Sequence, residues 1–564
     1  MRRRRFLASL LAIMIACTTL AGCSSNSGGG TESIAQDNKT NVEMAKNEAD
    51  TKENNVTGEK TKLTALYVSH SLTKSLDEMQ WMQELEDACG VEVEWEQIYQ
   101  DWNTTKSTRL ASGDIPDLLF NAVNNSDYVT YTGLFQDMSG LIEDYAPNIK
   151  TMFEEEPDTK TIVMNTEKEI FGLLRFRGKW PTTSTAMYIN KQWLDHLGLE
   201  IPTTFSELEQ VLLAFKEQDA NGNGDPNDEI PLDFNAYGSM AWFNGQVTLT
   251  RLIGSMGIQL NELSTNGYFA ENKEVKCYAV DERYKAFMKY FNGLYSQGLI
   301  NTNAITNDYS MYQSLASGNE AGDAMVGFTL GYEKADRFGN EISKQYIPLA
   351  PLDYDIGCEA GTYDTRWPYD YDSANIAVNL VSMSAKCKDK EAAMRFIDGF
   401  YATETSIQVL FGGISDGCVE RIGENSYKVL DPPDETMDAG TWRWTNAFAG
   451  NGPMYIPRSV EIEMPYDIAN AIAERVYYKE AHDKLSDSDY YPQTFLKYST
   501  EDQNTLSVTQ ANINNIIDNY WALWLTGESD IDSDWDSYVQ SVYHAGLQDV
   551  LDIRQAAYEE YLAK

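Results

Sequence analysis

Basic residues, histidine and cysteine are all scarce in this chain. Against 86 aspartates and glutamates stand 44 lysines and arginines, a formal net charge of −42 over 564 residues. A surface this acidic repels phosphate backbones and anionic headgroups, so nucleic acid is excluded as a partner. The four histidines, His70, His196, His482 and His544, are far apart. The seven cysteines contain no CxxC pair, so no zinc-type ligand spacing is present. Cys89, Cys277, Cys358, Cys387 and Cys418 allow at most two disulfides and equally suit buried free thiols. No apolar run reaches the ~20 residues of a membrane-spanning helix. Neither an internal repeat nor a catalytic motif stands out. Apolar residues, by contrast, are plentiful: 42% of the chain is hydrophobic and 12% aromatic, enough for a large core in more than one lobe.

The N-terminus has its own grammar. Arg2 to Arg5 form a basic start, Phe6 to Ala16 are almost wholly apolar, and Leu20-Ala21-Gly22-Cys23 places small residues before a cysteine. That order reads as a secretion signal over residues 1–22. Leu-Ala-Gly-Cys resembles the bacterial lipobox, which implies diacylated Cys23 as the first mature residue. Two acyl chains anchor stably, where one is marginal. Residues 23–60, polar and nearly free of aliphatic and aromatic side chains, read as a flexible tether. The expected location is the outer face of a bacterial cell membrane, reached through lipid alone.

From residue 61 the pattern is strand (Leu63 to Val68), helix (Asp77 to Cys89), strand (Val91 to Trp95), helix (Thr104 to Leu110), strand (Asp117 to Phe120). Alternation of this kind argues for an α/β lobe with a largely parallel sheet. Ala186 to Asn190 begins another strand–helix unit, and Thr204 with Glu207 fits a capping box. The C-terminal region is helical, with Ile513, Ile516, Ile517, Tyr520, Trp521 and Trp524 on one face.

Asp219-Ala220-Asn221-Gly222-Asn223-Gly224-Asp225-Pro226-Asn227-Asp228-Glu229 is the sharpest chemical signal. Oxygen side chains at positions one, three and five precede a glycine at six, the plan of a calcium loop. Ile230 stands where a twelfth-position glutamate is usual, so Asp228 and Glu229 are expected to close the shell. The expected ligands are Asp219, Asn221, Asn223, Asp225, Asp228 and Glu229, holding a structural calcium ion.

Ordered motifs then point to a family. They are Ala111-Ser112-Gly113-Asp114-Ile115-Pro116-Asp117, Asn190 to Leu199 with Pro202-Thr203-Thr204, Asp219 to Gly224, Lys390 to Phe396, Trp535 to Val539 and Arg554 to Tyr558. From residue 61 onward the chain resembles the family 1 extracellular solute-binding lipoproteins of carbohydrate ABC importers. The resemblance implies a two-lobe periplasmic-binding-protein-like α/β fold with hinge-crossing segments, closing over its ligand. Lobe one is expected at 61–183 and 345–428, lobe two at 184–344 and 429–564. It also implies an oligosaccharide ligand, permease subunits as partners, a monomer, and no enzyme activity.

Sugars offer hydroxyls at the ring edge and C–H patches on the face, so a sugar cleft pairs flat aromatics with amides. Asn121, Asn124 and Asn125 follow the third strand, where open α/β sheets place ligands. Trp180, Trp242, Trp367, Trp442 and Trp444 lie in loop-like aromatic–polar clusters and complete the expected binding set. Trp193, Trp521 and Trp524 sit on apolar helix faces and read as core. Two other functions share these features: a secreted calcium-dependent glycan-degrading enzyme, and a sensor or adhesin without transport.

Overall fold

Alternation of valine and glutamate in Val91-Glu92-Val93-Glu94 is the simplest local pattern in the chain, and it sets the edge of the first sheet. The strand Val91–Ile98 buries Val91 and Val93 and exposes Glu92 and Glu94. Its neighbour Thr61–Val68 pairs with it in parallel, from Thr61↔Val91 to Val68↔Ile98, and on its other side with Leu118–Phe120, also in parallel. Helices Gln80–Cys89 and Trp102–Ser112 make the crossovers between these strands. The structure is a computed structural model that describes residues 60–235, 247–262, 266–434 and 437–563.

Three further strands complete a six-stranded sheet in the order Met454–Ile456, Gly172–Arg177, Ile376–Met383, Leu118–Phe120, Thr61–Val68, Val91–Ile98. Ile376–Met383 runs antiparallel to both neighbours and the other five run parallel, so five carboxyl ends meet on one side. Both faces of this sheet are covered. Leu63, Ala65 and Tyr67 pack into the large core of the lobe, while Leu66 and Leu119 join Trp102, Leu110 and Phe135 on the opposite face. Each such buried leucine contributes about 1.5–3 kcal/mol relative to exposure.

A second sheet has the order Tyr346–Leu349, Ala186–Asn190, Val326–Gly331, Ile230–Leu232. Its core takes in Trp193, Phe205, Leu212 and Phe291, and reaches the C-terminal helices Thr500–Thr526, Ile531–His544 and Leu547–Leu562 through Ile513, Ile517, Trp521, Trp524 and Tyr538. The two cores have no fully buried residue in common.

Strand pairing corrects the expected lobe boundaries in two places. Residues 345–428 were expected in lobe one, yet Tyr346–Leu349 pairs with Ala186–Asn190 of the second sheet, and Leu352, Tyr354 and Trp367 are buried in its core. The Tyr346 ring stacks on Phe338, 3.6 Å between centroids, which holds the strand there. The chain regains the first sheet only at Ile376. Residues 429–564 were expected in lobe two, yet Met454–Ile456 pairs with Gly172–Arg177 of the first sheet, and Phe448 stacks on Tyr67 at 4.1 Å.

The crossings between sheets are tightly bonded. Ser184 N donates to Asp370 Oδ1 at 2.7 Å, and Tyr371 Oη donates to the Gly178 carbonyl at 2.9 Å. A Cβ at Gly178 would lie 2.7 Å from Arg458 N and 2.8 Å from Ile456 O, so this crossing admits only glycine. Among the described residues no helix is long and apolar enough to cross a membrane. Cys89, Cys277, Cys358, Cys387 and Cys418 are all free thiols.

Candidate functional site

Polar side chains of both sheets come together where the chain crosses between them. On the first sheet, Arg175 and Arg177 share one side of Gly172–Arg177, two residues apart. Arg175 Nη1 donates to the Gly450 carbonyl, and its Nη2 donates to Ala374 O at 3.2 Å. Arg177 Nη2 donates to the same Ala374 carbonyl, and its guanidinium lies 3.7 Å over the Trp180 ring. Helix Ala439–Asn446 is capped by Asp438, whose Oδ1 accepts from Thr441 N at 2.8 Å, and it presents Trp442, Arg443 and Trp444. Trp444 stacks on His70 at 4.4 Å. Arg443 pairs with Asp467 at 3.1 Å.

On the second sheet, Tyr332 follows directly from Val326–Gly331. Glu333 caps the next helix, Lys334–Ile342, by accepting from Asp336 N at 2.9 Å. Glu474 accepts from Tyr188 Oη at 2.6 Å, and Arg475 donates to Thr183 O at 2.7 Å and Tyr332 O at 2.6 Å. Helix Tyr466–Glu474 joins the two sets: its Asp467 pairs with Arg443 at 3.1 Å and its Asn470 Nδ2 donates to Glu333 Oε1 at 3.4 Å.

Seven buried polar atoms in this region have no hydrogen-bond partner among the described residues: Arg175 Nε, Arg177 Nε, Tyr332 Oη, Trp442 Nε1, Asp467 Oδ1, Glu474 Oε1 and Arg475 Nη1. Each such atom costs about 1–3 kcal/mol when left unmade. The set mixes donors and acceptors, which suits a hydroxyl-rich molecule, since each hydroxyl both gives and accepts. Burial pushes the Glu474 carboxyl up to about 7. Burial lowers Arg175 to about 10 and Arg177 well below its ordinary value.

The sequence-expected residues fall in several places. Trp180, Trp442 and Trp444 belong to this gathering. Trp367 does not: it is 0% exposed, stacked on Tyr478 at 4.7 Å, with its indole N–H donating to Thr185 O. That corrects the expectation for Trp367, whose flanking charges suggested a loop platform but whose ring fills the second core. Trp242 lies outside the described residues. Asn121 donates to Val68 O at 2.9 Å, and with Asn124, Trp102 and Lys106 it lines a hollow of about 590 Å³. The Asn124 side chain caps helix Asn125–Thr130, accepting from Ser126 N and Asp127 N. Asn125 accepts from Asn379 at 2.9 Å and borders a cavity of about 910 Å³, between the first lobe and the segment from Gln493 to Gln503. Sequence reasoning missed Tyr332, Asp467, Glu474, Arg475 and His70. The one local signal was Tyr332-Glu333 after the buried strand Val326–Gly331.

The Asp219–Glu229 loop has a geometry of its own. Gly222 and Gly224 take φ of 75° and 95°. Asp219 Oδ2 accepts from Gly224 N at 2.9 Å, Asn221 Oδ1 from Asn223 N at 2.9 Å, and Glu229 Oε1 from Ala220 N at 2.8 Å. The second oxygens, Asp219 Oδ1 and Glu229 Oε2, are buried and lack any partner. Two buried, bare carboxylate oxygens from the ends of one loop fit a hard cation. Asp228 is engaged differently, accepting from Asn221 Nδ2 at 3.0 Å and Asn223 Nδ2 at 2.7 Å. Among the described residues no three His, Cys, Asp or Glu side chains gather as a metal cluster, so a cation here needs amide and main-chain oxygens as well.

Two α/β lobes, joined by several crossings and carrying unsatisfied polar groups where they meet, define a two-lobe binding protein. The family model of the bacterial extracellular solute-binding proteins matches residues 71–405, and the chain belongs to that family. It is 28% identical over 523 residues to the fructooligosaccharide ABC transporter substrate-binding protein FusA of Streptococcus pneumoniae, covering 90% of this chain and 91% of that one. Among solved structures, an HMO-binding, ABC-transporter-associated solute-binding protein from Bifidobacterium longum infantis is 30% identical. It superposes with a TM-score of 0.81, covering 89% of this chain and 99% of its own. FusA in complex with kestose is 25% identical, with a TM-score of 0.76, covering 89% and 100%. These relatives are binding proteins of transport systems.

Proposed function

We propose that this protein captures an oligosaccharide where its two lobes meet and delivers it to the permease of an ABC importer. The observation that carries the reading is the set of seven buried donors and acceptors without partners, contributed by both sheets beside Trp180, Trp442 and Trp444. Hydroxyls satisfy such a set, and flat indoles suit sugar ring faces. The relatives' ligands support it. A micromolar affinity is about −8 kcal/mol, within reach of a few stacked rings and several buried hydrogen bonds. The protein works as a carrier without turnover. Diacylated Cys23 and the polar tether hold it at the outer face of the cell membrane, and calcium staples the Asp219–Glu229 loop through Asp219, Glu229 and neighbouring amide oxygens. Isothermal calorimetry against a glycan panel that includes kestose tests the central claim, with chromatography of the recovered glycan. Reversible binding and intact glycan are expected. Cleavage with turnover would replace the carrier by an enzyme, and no binding across the panel would remove the sugar.

A further inference from the structure

The buried arginines of this protein sort by their partners. Arg337 faces Asp233 at 3.2 Å, Arg251 faces Asp370 at 4.0 Å, Arg443 faces Asp467 at 3.1 Å and Arg475 faces Glu474 at 3.8 Å. Arg554 sits instead among hydroxyls, with its Nη1 3.4 Å from both Tyr491 Oη and Tyr498 Oη. Arg175 and Arg177 differ from all of these. Among the described residues their hydrogen bonds go only to the carbonyls of Gly450 and Ala374, and the buried Nε that each leaves without a partner, a feature shared with Arg337 and Arg554, here accompanies a guanidinium with neither an acid nor a hydroxyl bonded to it. Among the described residues no carboxylate lies within ion-pair distance of Arg175 or Arg177, whereas Arg251, Arg337, Arg443 and Arg475 each have one.

Two like charges side by side, 7% exposed in the case of Arg177, are a costly arrangement without an anion. The guanidinium is a planar fork that matches a carboxylate through two parallel hydrogen bonds. Trp180 stacks beneath Arg177 at 3.7 Å and fixes the plane of that fork. The opposite wall mixes signs, with Glu333 and Glu474 on second-lobe elements and Arg475 beside Glu474.

We infer that the glycan bound here is acidic, with a sugar carboxylate seated on Arg175 and Arg177 and its neutral hydroxyls turned toward Tyr332 and Glu474. The inference rests on the reading of the cleft as a glycan site. It runs against the formal charge of −42, which disfavours anions in general, so a local basic seat is what selects this one.

Matched pairs separate the charge from the sugar. Trigalacturonate is compared with its carboxyl-reduced neutral trimer, and 3′-sialyllactose with lactose, by calorimetry on the intact mature protein. These arms distinguish a uronate from a sialic acid as the source of the carboxylate. At least one acidic member is expected to bind tenfold or more tighter than its neutral partner, with the preference shrinking in 0.5 M salt. Arg177→Gln is expected to lower the affinity of the acidic member at least tenfold more than that of the neutral one. The wild-type comparison decides even where the variant fails to fold. Equal or tighter binding of the neutral members, or binding of kestose with neither acidic glycan, overturns the acidic ligand and leaves the sugar-binding reading intact. Silence from every glycan overturns both.

Discussion

Glu262 shows how much one buried carboxyl can govern. It is 6% exposed and accepts from the Thr494 amide at 2.9 Å and the Thr494 hydroxyl at 3.0 Å, tying the second core to the segment that enters the C-terminal helices. Burial pushes its carboxyl up to about 7, against an ordinary value of 4.5. Between those values the unfolded chain has lost the proton while the folded chain still holds it. The stabilisation is thus complete below about pH 4.5 and is lost as pH rises through 7, with a slope of up to about 1.4 kcal/mol per pH unit in that window. Glu262→Gln, neutral throughout, is expected to flatten the decline in urea midpoint between pH 5 and pH 8. Parallel declines in both proteins would move the titration elsewhere. The same scale separates two tryptophans that look alike in sequence. Trp367 and Trp444 both stand beside arginine in aromatic–polar clusters. One fills the second core and the other stacks on His70 at the crossing.

Among the elements, the Asp219–Glu229 loop was the most legible. Its spacing sets which oxygens turn inward, because Asn-Gly and Gly-Asp steps allow the positive φ that curls the backbone around them. Only the folded geometry separates Asp228, which binds two asparagine amides, from Asp219 and Glu229, whose second oxygens are bare. A cation bound by the native state alone raises stability by RT ln(1 + [L]/Kd), about 2.7 kcal/mol at a hundredfold excess over Kd. Chelator is expected to lower the melting temperature of the wild type by that order. Asp219→Asn with Glu229→Gln should respond far less. Equal chelator shifts in both proteins would place the ion at another site. The first three strands and their helices were equally readable, since a period of two or 3.6 is a local property. The short strands Met454–Ile456 and Tyr346–Leu349 were not, because three or four residues carry no period and their pairing is settled by partners far along the chain.

At the scale of the whole molecule, the proposed lipid anchor and the division into lobes follow different rules. The proposed anchor rests on a few adjacent residues. Cys23→Ala is therefore expected to leave the protein in the medium or as uncleaved precursor, and fractionation of the host cells with an N-terminal mass measurement reads the outcome. A variant still recovered as mature protein in the membrane fraction would overturn the anchor. The lobes depend on the full path of the chain, which leaves the first sheet after Arg177, returns at Ile376, and adds Met454–Ile456 beside Gly172–Arg177.

The sequence by itself determined the alternating α/β character, the helical C-terminal region, the glycine-bearing turn at Asp219–Glu229 and the family, because each is carried by short-range periods or by motifs in fixed order. The tertiary structure alone decided where the lobes divide and what faces the cleft. Tyr332, Asp467, Glu474 and Arg475 come from two stretches more than a hundred residues apart, and the Arg443–Asp467 pair joins them to the helix that carries Trp442 and Trp444. A binding cleft between lobes is a meeting of distant segments. Burial there depends on which chain covers which side chain, a property that no window of sequence contains.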